Sequence, residues 1–135
     1  MSNVRHRMTG IGDSSTCELC ASADVIHENA LAYARYDNYS LSRGHVLVIP
    51  RRHVASFFDL SKKEQVAILE LLTKAQSQVQ RSFSPDGYNV GINVGAAGGQ
   101  SRMHVHVHLI PRYHDDVPDP SGGIRCVLAP KKRDA

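Results

Sequence analysis

The sequence has no long hydrophobic run: none approaches the roughly 18 apolar residues that a membrane-spanning helix needs. Its N-terminus lacks the basic-then-apolar layout of a secretory signal. A strong charge of either sign is also missing, since 16 Lys and Arg stand against 13 Asp and Glu for a net +3. That balance is too mild to announce a nucleic-acid or membrane surface, although it suits an anionic small molecule. Cysteine is scarce, with three in all, an odd number that fits a reducing compartment better than a disulfide framework. These absences predict a soluble cytoplasmic protein whose partners include neither nucleic acid nor membrane.

What is present predicts one domain, because 135 residues with 41% hydrophobic content suffice to bury a core without staples. Residues 1–16 mix Ser, Gly, Asn and Thr without periodicity and predict a poorly ordered leader. The stretches "ALAYARYD" and "HVLVIP" predict two neighbouring antiparallel strands, separated by a turn that closes at Gly44. Ser61 followed three residues later by Glu64 is a capping box, and Val66, Leu69, Leu72, Ala75, Val79 and Phe83 form an apolar stripe at helical spacing. This helix should end before Ser84-Pro85-Asp86-Gly87. "YNVGINVG" predicts a third strand and "AAGGQS" a glycine loop, after which a strand should run until Pro111 stops it. Short connections leave little room for helical crossovers, so the fold class is α+β, one long helix covering a mainly antiparallel sheet. From His114 the chain, rich in Asp, Pro and Gly, should be extended or partly mobile, and residues 129–135 form a basic tail.

The last strand carries "MHVHVHLIP", which spends three of eight histidines on alternating positions. With a side-chain period of two, His104, His106 and His108 would share one exposed face and Val105, Val107 and Leu109 the other. Such a row permits three uses. It can be a half-exposed strand with no chemistry, a zinc site completed from elsewhere, or a nucleophile with acid-base help, which neutral imidazole supplies near physiological pH. The flanks favour the third: Gly98 and Gly99 would let an anion approach backbone N–H groups, and Ser101 offers a hydroxyl. No Gly-Lys-Ser/Thr follows, so this is not a Walker loop. The pair Cys17 and Cys20 has the spacing of half a zinc site and equally that of a redox dithiol or of two ordinary small residues.

"HVHVHLI", together with "GHVLVIPRRHV", "GYNVGINVGAAGGQSRMHVHVHLIPRY" and "DPSGGIRCVL", resembles the histidine triad (HIT) family of nucleotide hydrolases and transferases. The likeness is greatest to its bacterial branch, often described as diadenosine tetraphosphate hydrolase-like. It runs from Cys17 to about Val127, within a domain bounded at 17–128. The resemblance implies a HIT-like fold whose sheet pairs across a homodimer. It implies action at the α-phosphate of a purine nucleotide, a dinucleoside polyphosphate or a nucleoside phosphoramidate, through a covalent nucleotidyl-histidine. The alternative is a dimeric nucleotide sensor or scaffold with weak turnover.

The resemblance also distributes roles. His106 is the nucleophile, His108 the donor to non-bridging phosphate oxygens, His45 a further histidine near that phosphate, and Ser101 the partner of the leaving group. Asp37 holds the ribose hydroxyls, and Asn93, Gly99 and Gln100 belong to the nucleotide-binding set. Several members with the N-terminal cysteine pair bind structural zinc with two further histidines, by resemblance His53 and His104 here. No catalytic metal is required, although polyphosphate substrates arrive with Mg²⁺. Arg102 departs from the family pattern, standing where an apolar residue is usual. Ser121 and Cys126 depart too, replacing a common arginine and a common aromatic.

Overall fold

A computed structural model describes residues 16–128. The expected leader (but for Thr16) and the basic tail lie outside the described residues. Five strands form one sheet: β1 (His27–Glu28), β2 (Ala32–Tyr36), β3 (Val46–Pro50), β4 (Gly87–Ile92) and β5 (Val107–Arg112). Their spatial order is β1-β2-β3-β5-β4, and every neighbouring pair is antiparallel. One long helix, α1 (Lys62–Phe83), joins β3 to β4. No described helix is long and apolar enough to cross a membrane.

The capping box forms as its spacing predicts. Glu64 N–H donates to Ser61 Oγ at 3.1 Å, and Ser61 N–H donates to Glu64 Oε1 at 2.8 Å. Arg52 grips the same carboxylate through Nε at 3.0 Å and Nη2 at 2.8 Å, and this guanidinium holds the Glu64 carboxyl down at about 2. The helix ends at Phe83, with Ser84 left-handed at φ 51°. Gly44, at the entry to β3, has φ +87°, and a Cβ there would meet the Phe83 ring at 2.8 Å. Both facts call for glycine.

The helix bears out part of the expected stripe, with Ala75 and Val79 buried and Leu72 and Phe83 packed against the core, but its first half turns another row inward. Ala67, Ile68, Leu71, Ala75 and Val79 are buried, whereas Val66 and Leu69 are 45% and 58% exposed. Apolar residues cover a wide arc of this helix, so its period alone admits more than one phase. The buried row carries Ala67 and Ala75, whose small side chains let the helix lie close on the sheet. It covers Ala32, Ala34, Val46, Val48, Val107 and Leu109.

The alternate residues of β2 and β3, Tyr33, Leu47 and Ile49, face the other side, where Leu19 buries them. Both strands are therefore covered on both faces, which explains the unbroken apolar run of β3, while β2 is interrupted by Arg35, itself buried. Tyr33 donates its hydroxyl to the Leu19 carbonyl, tying the segment around Cys17 and Cys20 onto this second face. Pro111 does not end β5, which continues to Arg112 with Pro111 opposite Tyr88. Pairing with β3 stops at Leu109, so Pro111 lies where β5 has lost one neighbour and a missing N–H costs nothing. Beyond His114 the tail includes a 3-10 turn at Gly123–Cys126.

Candidate active site and metal centre

The histidines lie on the sheet face opposite the helix, but they do not make one exposed row. Regular strand begins only at Val107. His104 is fully buried, while His106 and His108 are half-buried. Parity put all three on one side, as expected. What differs is the cover, because the segment carrying the two cysteines closes over His104 and leaves its neighbours open.

Under that cover, His104 Nδ1 lies 3.5 Å from Cys17 Sγ and 3.5 Å from Cys20 Sγ, and His53 Nδ1 lies 3.3 Å from Cys20 Sγ. All four ligand atoms fall within 4.8 Å of one another. A tetrahedral zinc with sulfur at about 2.3 Å and nitrogen at about 2.0 Å would hold adjacent sulfur and nitrogen donors roughly 3.5 Å apart, so the donor set fits that ion. His104 Nε2 lies 2.7 Å from the Pro50 carbonyl oxygen. A carbonyl can only accept, so Nε2 carries the proton and Nδ1 turns its lone pair to the sulfurs. Metal-bound histidines are commonly oriented in this way. Burial lowers the His104 pKa, with the Pro50 bond opposing and His53 and His106 adding to the fall; the imidazole is neutral, as a ligand must be.

The same logic assigns the remaining tautomers. His106 Nδ1 lies 2.8 Å from the His104 carbonyl oxygen and must donate, so in the neutral ring the lone pair is on Nε2. Leu41 N–H donates to His45 Nδ1 at 3.0 Å, so the His45 proton is on Nε2. From there it points at His108 Nδ1, 3.0 Å away, with an Asp37 carboxylate oxygen at 3.5 Å. His108 thus accepts on Nδ1 and offers a donor on Nε2. The His106 and His108 rings stand 5.1 Å apart. Burial pushes His108 down to about 4, helped by His106 and His45 and opposed by Asp37. Burial also lowers His45, against Asp37. Asp37, His45 and His108 form a second cluster of potential ligand atoms, which the hydrogen bonds just traced account for.

His106, His108, Ser101, Asn93 and Asp37 line one cavity of about 210 Å³, together with Leu19, Tyr39, Leu47 and Arg102. His45 lies behind it, reaching it through His108. Leu47 was legible in principle, because it is the register partner of His108, but Leu19, Tyr39 and the Pro50 carbonyl arrive from distant segments.

The glycine loop behaves unlike an open anion cradle. Gly98 N–H donates to Gly95 O, Gly99 N–H to Ala96 O and Gln100 N–H to Gly95 O, so these donors are spent inside the loop. Gln100 is buried, accepting from Gly95 N–H at 2.9 Å and donating to the Ala55 and Arg102 carbonyls at 2.8 and 2.9 Å. Neither it nor Gly99 lines the histidine cavity. Gly99, at φ +95°, leaves a Cβ position 3.8 Å from the Asn93 side chain, so these two residues shape the loop that presents Ser101.

A sheet of this order with one long helix, carrying His106 and His108 over a common cavity, defines the class. The chain belongs to the HIT domain family, with residues 19–115 matched. It is 36% identical over 93 residues to the AP-4-A phosphorylase of Mycobacterium tuberculosis, a match covering 68% of this chain and 48% of that protein. The chain thus spans about half the length of that relative. It is 38% identical over 89 residues to the adenosine 5'-monophosphoramidase hnt1 of Schizosaccharomyces pombe, covering 66% of this chain and 64% of that one. Among solved structures, a Zn-bound histidine triad family protein from Mycobacterium smegmatis superimposes with a TM-score of 0.70 at 28% identity, covering 79% of this chain and 86% of the other.

Proposed function

We propose that the chain is a nucleotide hydrolase or nucleotidyl transferase that works at the α-phosphate of a purine nucleotide through a covalent intermediate on His106. The observation that carries this reading is the 2.8 Å contact between His106 Nδ1 and the His104 carbonyl. It fixes the proton on one nitrogen and leaves Nε2 as a lone pair facing the cavity, which a nucleophile requires. Relatives named for a tetraphosphate dinucleotide and for a phosphoramidate support the same chemistry.

In this mechanism His106 Nε2 attacks the α-phosphorus, forming an N–P bond as the bond to the leaving group breaks. His108 Nε2–H donates to a non-bridging oxygen, where a loose transition state spreads charge. Ser101 donates to the departing atom. Water or another acceptor then attacks phosphorus from the vacated side, and the N–P bond breaks to restore the imidazole. Asp37 is assigned to the ribose hydroxyls and Asn93 to the nucleotide. A zinc ion held by Cys17, Cys20, His53 and His104 would cross-link the covering segment to the sheet and take no part in bond-making. Zinc thiolates suit a reducing compartment, here the cytoplasm.

The protein is further proposed to be a homodimer, since β4 forms one edge of the sheet and unpaired edges invite pairing. A 14.9 kDa species in sedimentation at micromolar concentration would exclude it. For the reaction itself, denaturing mass spectrometry of protein quenched during turnover should find a nucleotidyl group on His106. His106→Ala should lose turnover by at least about a hundredfold with its melting temperature nearly kept. Near-normal turnover in that variant would end the proposal.

A further inference from the structure

Two cavities meet at Ser101 and Arg102. One is the histidine cavity, and the other, of about 190 Å³, is lined by Cys17, Glu18 and His53. Arg102 is the single Lys or Arg side chain among the described residues lining the histidine cavity. Its Nη1 bonds Glu18 Oε1 at 2.7 Å, and its guanidinium carbon lies 5.4 Å from the centre of the Tyr39 ring. Glu18 itself sits between the two cysteines of the metal cluster.

Resting on the nucleotidyl reading above, we propose that Arg102 determines specificity: it favours substrates whose leaving group is a phosphate anion over those whose leaving group is an amine. The charges around the reacting centre give the reason. Of the side chains lining the histidine cavity, Arg102 alone carries a permanent positive charge, and the Asp37 carboxylate faces His45. A phosphate chain extending past Ser101 therefore meets one fixed positive charge, that of Arg102, and a guanidinium matches phosphate oxygens in fork geometry. An amine leaving group gains nothing from it.

Glu18 competes for the same guanidinium. The pair is partly solvated, with Arg102 34% and Glu18 53% exposed, and such pairs are weakly held. A phosphate can displace the carboxylate, whereas an ammonium group would prefer the carboxylate to the guanidinium. Glu18 thus tempers the preference that Arg102 creates.

The test compares kcat/KM for diadenosine tetraphosphate and for adenosine 5′-phosphoramidate in wild type, Arg102→Ala, Arg102→Lys and Glu18→Gln. The ratio of the tetraphosphate to the phosphoramidate value should fall about tenfold or more in Arg102→Ala, the scale of one charge-assisted hydrogen bond. Lysine should restore part of it as a point charge. In Glu18→Gln the ratio should rise about twofold to fivefold. Equal losses on both substrates in Arg102→Ala, or a lowered ratio in Glu18→Gln, would overturn the inference while leaving the nucleotidyl reading intact. If wild type turns over neither substrate, both fall together.

Discussion

The backbone carbonyl of His104 accepts from Nδ1 of His106 at 2.8 Å. The residue whose ring closes the Cys/His cluster therefore also sets the tautomer of the proposed nucleophile. One short segment couples the two sites, and a shift in how His104 is held would be felt at His106 within two residues. The cluster accordingly matters to the chemistry by placing a carbonyl oxygen.

Purification without added zinc should yield one zinc per chain by metal analysis. Removing the metal, or making Cys17→Ser, should lower the melting temperature, because binding to the folded cluster contributes directly to folding free energy. Each kcal/mol lost corresponds to roughly 4 °C in a domain of this size. A metal-free sample with unchanged melting would exclude the ion.

Stability should decline in mild acid on account of His108. Its folded pKa is pushed down to about 4, below the usual value near 6.5. Between those values the unfolded chain binds more protons, so the contribution is fully present above about pH 6.5 and is lost as pH falls toward 4. Urea midpoints measured from pH 7 to 5 should fall in wild type. His108→Gln should flatten that slope, and an unchanged slope would show that His108 is not held neutral by its surroundings.

Ribonucleotides should be preferred over deoxyribonucleotides by about tenfold to a hundredfold in kcat/KM, the value of one charge-assisted hydrogen bond to Asp37. Asp37→Ala should collapse that preference. Because Asp37 also lies 3.5 Å from His45 Nε2, the variant should slow both sugars, so the diagnostic quantity is the ratio. A ratio kept in full by the variant would place the ribose elsewhere.

Ser61→Ala should cost about 1 kcal/mol through loss of the cap on α1. Glu64→Ala should cost more, since it removes the reciprocal bond to Ser61 N–H and both bonds from Arg52. Neither should change substrate preference. Thermal melts give the order, and a larger loss in Ser61→Ala would contradict it.

Much of this architecture was legible in local pattern. The capping box starts α1, the Ser84-Pro85 stop ends it, and the alternation of Val105, Val107 and Leu109 against the histidines assigns each to a sheet face. These are short-range consequences of backbone geometry, repeated in every chain with such a pattern. The family signature carried the cysteine and histidine residues beyond that, and the four ligand atoms do converge.

Other features depended on chain segments far apart in sequence. Period two put three histidines on one face, but only the fold lays the two cysteines over His104 and leaves His106 and His108 lining a cavity. Helical period allowed Val66 and Leu69 as core beside Ala75 and Val79, but the fit on the sheet turned Ala67, Ile68 and Leu71 inward in their place. Glycines suggested an anion cradle, yet the loop satisfied its own N–H groups and buried Gln100 to do so. The contact of Glu18 with Arg102 spans 84 residues. The common reason is that sequence pattern fixes which way a side chain points from its own backbone, whereas burial and pairing depend on what a distant segment brings to meet it.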